Sequence, residues 1–419
     1  MPSFVSRTPS RIVLATFVLV AAHLPARAQG TGRSTDIDVS IRSAALGGAS
    51  NALFWGDELD HWANPALLGG VTGIRYEHGH TPLVPGLSTD VKFMSDVVKI
   101  GGGGIGLVLS GQPGGLGGVK LDYGESVATD PGGNVIGTFG SYEEVKSWGF
   151  GLSALQALGS VPALRGGIGR FAQYGDVSFG MNFKDIKIAL APSSTSGEGS
   201  TTARDWGMLV RATPLDGISQ PGPLPLRLDI AFGHSVLSYN DDATITFINE
   251  DMVDRVTRHR RDGWAIRLAF DPPSMRPGND VHDTWRAFLA GLHPLFSAAT
   301  TIDNATIDAG SGTSEYPTEG HGVEIELARV FTYRTGHYTD RAGDIDGSTS
   351  GWRLALPIGH WGGGYYEEAT WPQSASSNLP DVTRTGWGMW LDALAIWRST
   401  HARSTTGTAT ETPHPIPKP

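Results

Sequence analysis

Large apolar side chains occupy every second position over much of this chain, and the segment 264–270 shows the pattern most fully. There they alternate with alanine and arginine, in the order Trp264, Ala265, Ile266, Arg267, Leu268, Ala269 and Phe270. Residues two apart share a face of a β-strand, so one face of this segment is apolar and the other is small or charged. The pattern predicts a strand with one face against lipid and the other against water.

The same alternation begins near Val71 and recurs toward the C-terminus, which predicts about 12 to 14 strands. Segments 285–292 and 387–397 are among the strand candidates. The alternation changes phase after Phe183, and this predicts a tight turn at Lys184–Asp185. Long polar stretches between the strands are predicted to be external loops, and they cover residues 124–142, 192–203, 271–283, 300–320 and 373–383.

Both ends of the chain differ from this pattern. Arg7 and Arg11 precede an apolar stretch from Ile12 to Ala22, and Ala26-Arg27-Ala28 has the small-x-small form of a cleavage site. These features predict a signal peptide over residues 1–28, against the alternative of a buried N-terminal helix. The Thr- and Pro-rich residues 403–419 are predicted to be a disordered tail.

Composition narrows the class of protein. After residue 28 there is no apolar run of 18 residues, so a membrane-spanning helix is not expected. An exported chain can then cross a bilayer only as a closed barrel. The chain has no cysteine, and its net charge of −10 argues against a nucleic-acid partner. Tryptophans near the predicted strand ends are typical of an interfacial girdle, namely Trp148, Trp206, Trp264, Trp285, Trp352 and Trp387.

We therefore expect an all-β fold: a transmembrane antiparallel barrel of about 14 strands over residues 71–402. It would lie in the outer membrane as a monomer, with lipid around it. A soluble, secreted β-sandwich is the alternative, since antiparallel sheets with one wet face also alternate. Charged residues in mid-strand are predicted to line a wet lumen, namely Arg227, Asp229, Arg267, Glu324 and Glu326.

The segment 29–70 ahead of the first strand has a different character. It is rich in alanine, with Gly47-Gly48 in its middle and Asn64-Pro65 near its end. This predicts two short helical turns, broken by glycine and stopped by proline. Small residues allow close backbone packing in a confined space. We expect the segment to fold into the lumen as a plug, here called the hatch.

The hatch also resembles the start of the long-chain fatty acid transporter superfamily of outer-membrane barrels, the FadL type. That family opens with a Gly-Gly-Ala run, a pair of acids and an Asn-Pro-Ala. The resemblance extends to the branch of the PorV and PorQ proteins of type IX secretion. It implies a 14-stranded barrel with an N-terminal hatch that passes hydrophobic compounds or docks exported proteins. The hatch residues it points to are Arg42, Gly47, Gly48, Ala49, Asp57, Asn64, Pro65 and Ala66.

Other chemistry finds little support in the sequence. His78 and His80 would share one face of a strand, but no third ligand has a supporting spacing. The cluster Asp57, Glu58, Asp60 and His61 could hold a cation or form a solvated face of the plug. Gly-x-Ser-x-Gly and His-Glu-x-x-His do not occur. We expect neither enzymatic activity nor a cofactor nor a metal.

Three functions follow as hypotheses. The first is passive transport of hydrophobic or amphipathic small molecules, which would lodge against the hatch and leave sideways or inward when the hatch shifts. The Gly-rich strand 101–106, where the wall could kink, supports this hypothesis. The second is a PorV-like barrel that docks exported proteins through its outer loops. The third is a soluble secreted β-sandwich that binds a ligand.

Overall fold

The computed structural model forms one sheet, whose strands close on themselves. It describes residues 32–111, 118–130, 132–164, 167, 171, 174–190, 197–215, 225–247, 253–272, 291–308, 316–359, 361–376 and 379–392. The predicted signal peptide 1–28 and the tail 403–419 lie outside the described residues. So do residues 285–290 and 393–397 of two predicted strands.

Seventeen strand segments form the sheet. They are β1 Gly73–Pro82, β2 Lys92–Gly102, β3 Ile105–Ser110, β4 Val119–Thr129, β5 Val135–Ser153, β6 Gly175–Ala189, β7 Glu198–Ala212, β8 Leu226–Leu237, β9 Thr244–Phe247, β10 Val253–Arg255, β11 Arg258–Phe270, β12 Phe296–Asp308, β13 Tyr316–Leu327, β14 Phe331–Asp340, β15 Ile345–Ile358, β16 Gly362–Trp371 and β17 Val382–Leu391.

The barrel is closed because β1 pairs antiparallel with both β2 and β17. Three wall strands are each made of two segments: β3 with β4, β8 with β9, and β10 with β11. The wall therefore has 14 strands, all antiparallel, which confirms the predicted fold class. One closed sheet excludes the two-layer sandwich. We call the end where β1 begins and β17 ends the near end, and the opposite end the far end.

The helical segments are short. They are the 3₁₀ helices Arg33–Thr35 and Pro65–Gly70 and the α-helices α1 Ile41–Ala45 and α2 Ala154–Ser160. In the part of the chain that the structure describes, no helix is both long and apolar enough to cross a membrane. The prediction that proline stops the second hatch turn is wrong. Pro65 begins that helix, since its fixed φ suits a first helical position and its missing N–H costs nothing there.

Apolar side chains cover the outer wall. On β11, Trp264, Ile266, Leu268 and Phe270 are all exposed, and on β15 the same holds for Leu354, Leu356 and Ile358. A continuous apolar exterior on a closed barrel, with no unpaired backbone at a sheet edge, is the wall of an outer-membrane barrel. The predicted membrane location agrees with this exterior.

Aromatic rings form a belt on the outside, but within the strands and not at their ends as predicted. Cross-strand ring pairs run along it, namely Trp148 with Phe183, Phe232 with Trp264, Trp352 with Tyr366 and Tyr76 with Trp387. The strands continue past this belt toward the far end, where exposed outward residues such as Thr202, Arg204 and Arg260 are polar. Because both faces can be polar there, several predicted loops are partly strand. Residues 124–142 contribute to β4 and β5, residues 198–203 to β7, and residues 300–320 to β12 and β13.

Two further predictions about turns are wrong. Lys184–Asp185 lies within the unbroken β6, and Lys184 is fully buried in the lumen. The apolar parity changes because Ile186 and Ile188 face inward, into a core that fills part of the far end. The segment 101–106 is a hairpin between β2 and β3 that turns at Gly103–Gly104, and not a kinked strand.

Candidate functional site

The hatch fills the middle of the lumen. Its described part, 32–72, ends where β1 begins, and most of its residues are buried. One apolar core joins hatch and wall residues, with Leu46, Leu53, Trp55, Leu67 and Leu68 from the hatch. A second core at the far end packs Trp62 against Phe93 and the inward side chains of β4 to β7. Hydrophobic burial therefore holds the hatch in the barrel.

A row of inward glycines on the wall brings the hatch backbone against the strands. Gly106, Gly151, Gly180 and Gly207 are cross-strand neighbours on β3, β5, β6 and β7. A Cβ atom added at Gly106 would lie 2.0 Å from the carbonyl oxygen of Leu68, and one at Gly180 would lie 2.2 Å from that of Pro65. Any side chain here would collide with the hatch. Close approach therefore accounts for part of the high glycine content.

The predicted hatch motif forms a hydrogen-bonded turn against the wall. The Asn64 side chain donates to the carbonyls of Asn51 and Met208, at 2.9 and 3.1 Å, and its oxygen accepts from the N–H of Ala66 at 3.0 Å. On the other side of the lumen, Gly47 has a φ of +69° and approaches the backbone of β14, so a Cβ there would lie 2.3 Å from a carbonyl oxygen. Asn64, Pro65, Ala66, Gly47 and Ala49 are all buried.

Below Gly47, buried ion pairs connect the hatch to the wall. Arg42 donates two hydrogen bonds to Glu324, at 2.7 and 2.8 Å. Arg334 on β14 binds three carboxylates, those of Glu58 at 2.6 Å, Glu367 at 2.8 Å and Glu324 at 2.9 Å. Each of these five side chains is nearly inaccessible to solvent. We call this group the charge network.

A second set of arginines surrounds Asp57, closer to the near end of the barrel. Arg329, Arg75 and Arg353 approach its carboxylate at 2.6, 2.9 and 3.2 Å. Burial opposes ionisation of Asp57, but these three positive charges outweigh it and hold the carboxyl pKa well below its usual range. Burial likewise opposes ionisation of Glu58, and the Arg334 charge, followed by Arg353, lowers its pKa. Both acids therefore stay ionised at neutral pH.

The expected solvated plug face is therefore wrong. Asp57, Glu58 and Asp60 are buried, and His61 is fully inaccessible. Burial and the charges of Lys99 and Lys184 lower the His61 pKa well below its usual value, so this ring is neutral. The wall supplies the cations that the acid pair needs, in the form of arginines. No group of three metal-ligating side chains occurs among the described residues, and His78 pairs with Asp96 at 2.9 Å.

Asp60 behaves differently from its neighbours. It accepts from the Ser50 hydroxyl at 2.6 Å and lies beside the Asp38 carboxylate. Burial, followed by the Asp38 charge, raises the Asp60 pKa to about 7. The folded hatch thus binds a proton that the unfolded chain would release near pH 4.

Asp60→Asn should therefore flatten the pH dependence of stability. A carboxyl whose pKa is raised on folding stabilises most at low pH, and this contribution is lost as the pH rises to about 7. Asp57 and Glu58 have lowered pKa values, so their contribution to the stability of the fold is lost only at acid pH. Above about pH 5 that contribution is constant. Melting temperatures of the native protein should fall from about pH 5 to about pH 8, and those of the variant should change less. Parallel curves would contradict this assignment.

Two cavities lie on either side of the hatch and the charge network. The near-end cavity has a volume of about 290 Å³ and is lined by predicted lumen residues Arg227, Arg267 and Glu326, with Asp57 and Trp390. Arg267 forms an ion pair of 2.6 Å with Asp229. Of the five predicted lumen residues, only Glu324 therefore belongs to the charge network, while the other four lie in or beside the near-end cavity.

The far-end cavity is larger, with a volume of about 590 Å³. Its floor is the hatch at Ser43, Ala44, Gly47 and Gly48. Its wall combines apolar and aromatic side chains with charged ones. The apolar and aromatic set is Ile37, Leu83, Ile307, Tyr338, Ile345, Trp371 and Val382. A cavity of this size and mixed lining can hold a small amphipathic molecule.

The arginines opposite the hatch acids were missed by the sequence-based prediction. Arg75, Arg334 and Arg353 all lie at inward positions of their strands. Their alternation with outward apolar residues indicates that these arginines face the lumen. It does not indicate which acid each arginine pairs with. Those pairs join residues up to 296 positions apart, as with Arg353 and Asp57.

Solved structures of outer-membrane transporters are similar to this chain at low sequence identity. A FadL homologue from Pseudomonas aeruginosa is 9% identical, with a TM-score of 0.40, over 85% of this chain and 98% of that one. The toluene transporter TodX of Pseudomonas putida is 13% identical, with a TM-score of 0.39, over 84% and 96%. A TodX deletion mutant described as a monoaromatic hydrocarbon channel is 11% identical, with a TM-score of 0.40, over 85% and 100%.

No family model matches the chain, and no curated protein matches it. At such identities and TM-scores the solved structures carry no inference about function, and the barrel fold follows from the strand pairing described above. The resemblance to the PorV and PorQ branch stays a prediction.

Proposed function

We propose that this chain is a monomeric, passive outer-membrane transporter of hydrophobic or amphipathic small molecules, without enzymatic activity. The far-end cavity is its first binding site. The observation that carries the proposal is the combination of an amphipathic cavity of about 590 Å³ with a floor made of hatch. A compound entering at the far end would come to rest on Gly47 and Gly48.

The route onward needs a movement of the hatch. Along β13, Thr318 lines the far cavity, Glu324 belongs to the charge network, and Glu326 lines the near cavity. An apolar molecule that followed the lumen would have to displace buried, paired charges, which costs several kcal/mol for each charge left unpaired, on the order of 3–5. Passage therefore requires the hatch to shift as a unit or the molecule to leave through the wall. No nucleotide-binding motif suggests that energy is supplied, so the concentration gradient drives transport.

Uptake into proteoliposomes tests the proposal. Protein-containing vesicles should accumulate a labelled long-chain fatty acid or its uncharged alcohol faster than empty vesicles. Ala305 lines the far-end cavity on β12, so Ala305→Trp should fill that space and reduce uptake toward the level of empty vesicles. Ala298→Trp on the outer face of the same strand is the matched control. Uptake equal to that of empty vesicles, or equal loss in both variants, would refute the proposal.

A second candidate function is the docking of exported proteins. The hairpin of β4 and β5 reaches beyond the aromatic belt, and apolar side chains near its tip are exposed, with Val135 at 68% and Ile136 at 69%. Exposed apolar groups at a loop tip are typical of contact sites. Pull-down of secreted proteins with the native chain and with Val135→Asp tests this function. Recovery of the same proteins by both would exclude the hairpin as the contact.

A further inference from the structure

Two aromatic rings face the far-end cavity side by side. Tyr338 on β14 and Trp371 at the end of β16 have ring centroids 4.6 Å apart, with their planes 43° from parallel. Gly347 on β15 is the register partner of Tyr338, and it has no side chain. Gly48 of the hatch lies beneath, since a Cβ there would be 3.6 Å from Trp371 and 3.7 Å from Tyr338. Both rings are only partly buried, so the cavity has access to them.

An acid without a cationic partner lies next to this ring pair. Asp340 is two residues beyond Tyr338, on the same inward face of β14, and it also lines the cavity. One of its oxygens accepts from the N–H groups of Ala342 and Gly343, each at 3.0 Å. Within the described residues, no arginine, lysine or histidine forms an ion pair with its carboxylate. A negative charge in a partly enclosed, aromatic site therefore has room for an incoming cation.

The other charges that line the cavity already have partners. The pairs are Arg33 with Asp36 at 3.0 Å, His259 with Asp36 at 3.0 Å and Arg261 with Asp303 at 3.1 Å. Arg384 forms no ion pair within the described residues, but it donates to the carbonyl oxygen of Asp38 in the hatch and to the hydroxyl of Thr81 on β1. Of the four aspartates in the lining, Asp36, Asp38 and Asp303 each lie within 4 Å of an arginine, and Asp340 is the one that forms no ion pair within the described residues.

We propose that the far-end cavity selects amphipathic cations, with an ammonium or quaternary ammonium head group held by Tyr338, Trp371 and Asp340. A cation over an aromatic face is attracted by the ring electrons, and a nearby carboxylate adds to that attraction. The alkyl part of the molecule lies along the apolar lining, which includes Leu83, Ile345 and Val382. This selection rests on the proposed transport function and names the class of molecule that the same cavity prefers.

Equilibrium binding to the full chain in nanodiscs tests the proposal. The probes are labelled decyltrimethylammonium, decanoate and decanol, which share a ten-carbon chain, and empty nanodiscs correct for partition into lipid. The cation should bind about tenfold more tightly than the anion or the alcohol. Trp371→Ala and Asp340→Asn should each weaken cation binding by several-fold, up to about tenfold, and leave decanol binding within about twofold. Trp371→Phe keeps a ring and should retain most of the affinity.

Matched controls come from the outer wall. Trp352 forms a ring pair with Tyr366 at 5.6 Å, and Asp346 is exposed beside His337. Trp352→Ala and Asp346→Asn should leave all three affinities unchanged. Equal binding of cation and anion, or unchanged cation binding in Asp340→Asn, would overturn the proposal. If decanol still binds in that case, only the cation preference fails, whereas loss of all binding to the native chain would also refute the transport function.

Discussion

Arg334→Ala should release the hatch and cost about 3–5 kcal/mol of stability. Among the described residues, Arg334 alone bridges Glu58 of the hatch to both Glu324 and Glu367 of the wall. Without it, Arg42 is the one arginine left in the charge network for three buried carboxylates, and buried charges without partners are strongly destabilising. The melting temperature in detergent should fall, and the conductance of single barrels in planar bilayers should rise as the lumen opens.

The matched control is Arg204→Ala. Arg204 is on β7 with its side chain exposed on the outer wall, so its loss should leave both measurements close to those of the native protein. Limited proteolysis adds a direct readout, because a released hatch exposes the chain near Arg42 to cleavage. If Arg334→Ala retains the native melting temperature and conductance, the charge network does not hold the hatch.

Gly180→Val should displace the hatch from the opposite side of the lumen. Valine is favoured in strands, so the change by itself would suit β6. Its Cβ, however, would lie 2.2 Å from the carbonyl oxygen and 2.3 Å from the carbonyl carbon of Pro65. Backbone atoms of a packed segment cannot yield as a flexible side chain would, so overpacking of about 1–3 kcal/mol or more should force the 3₁₀ helix Pro65–Gly70 away. The conductance should rise, and binding of decanol should weaken as the floor of the far cavity shifts.

Gly137→Val serves as its control. Gly137 on β5 has no atom within 4 Å of an added Cβ, so valine there meets open space. Its melting temperature should equal or exceed the native value, because valine reduces the freedom of the unfolded chain. If the Gly180→Val variant keeps the native conductance and still binds decanol, the row of inward glycines does not position the hatch.

Local pattern was sufficient to predict the wall of this protein. Alternation along segments such as Trp264–Phe270 predicts which side chains face lipid, because the strand period of two depends only on neighbouring residues. The same pattern could not distinguish an inward apolar core from a turn. Ile186 and Ile188 change the parity without ending β6, because both face an apolar core that fills part of the far end. Beyond the aromatic belt, the alternation pattern also could not distinguish a polar strand from a loop.

The partners of the hatch residues could not be predicted from the sequence. Asp57-Glu58 and Asn64-Pro65-Ala66 could be marked as a motif of the plug, but the acids were expected to be solvated. Only the closed barrel brings Arg75, Arg329, Arg334 and Arg353 around them. The sequence alone determined the two-faced wall and the presence of a segment before it. The tertiary structure decided that the acids of this segment are buried and paired with arginines of the wall, because a carboxylate leaves water only when folding brings a distant cation to it.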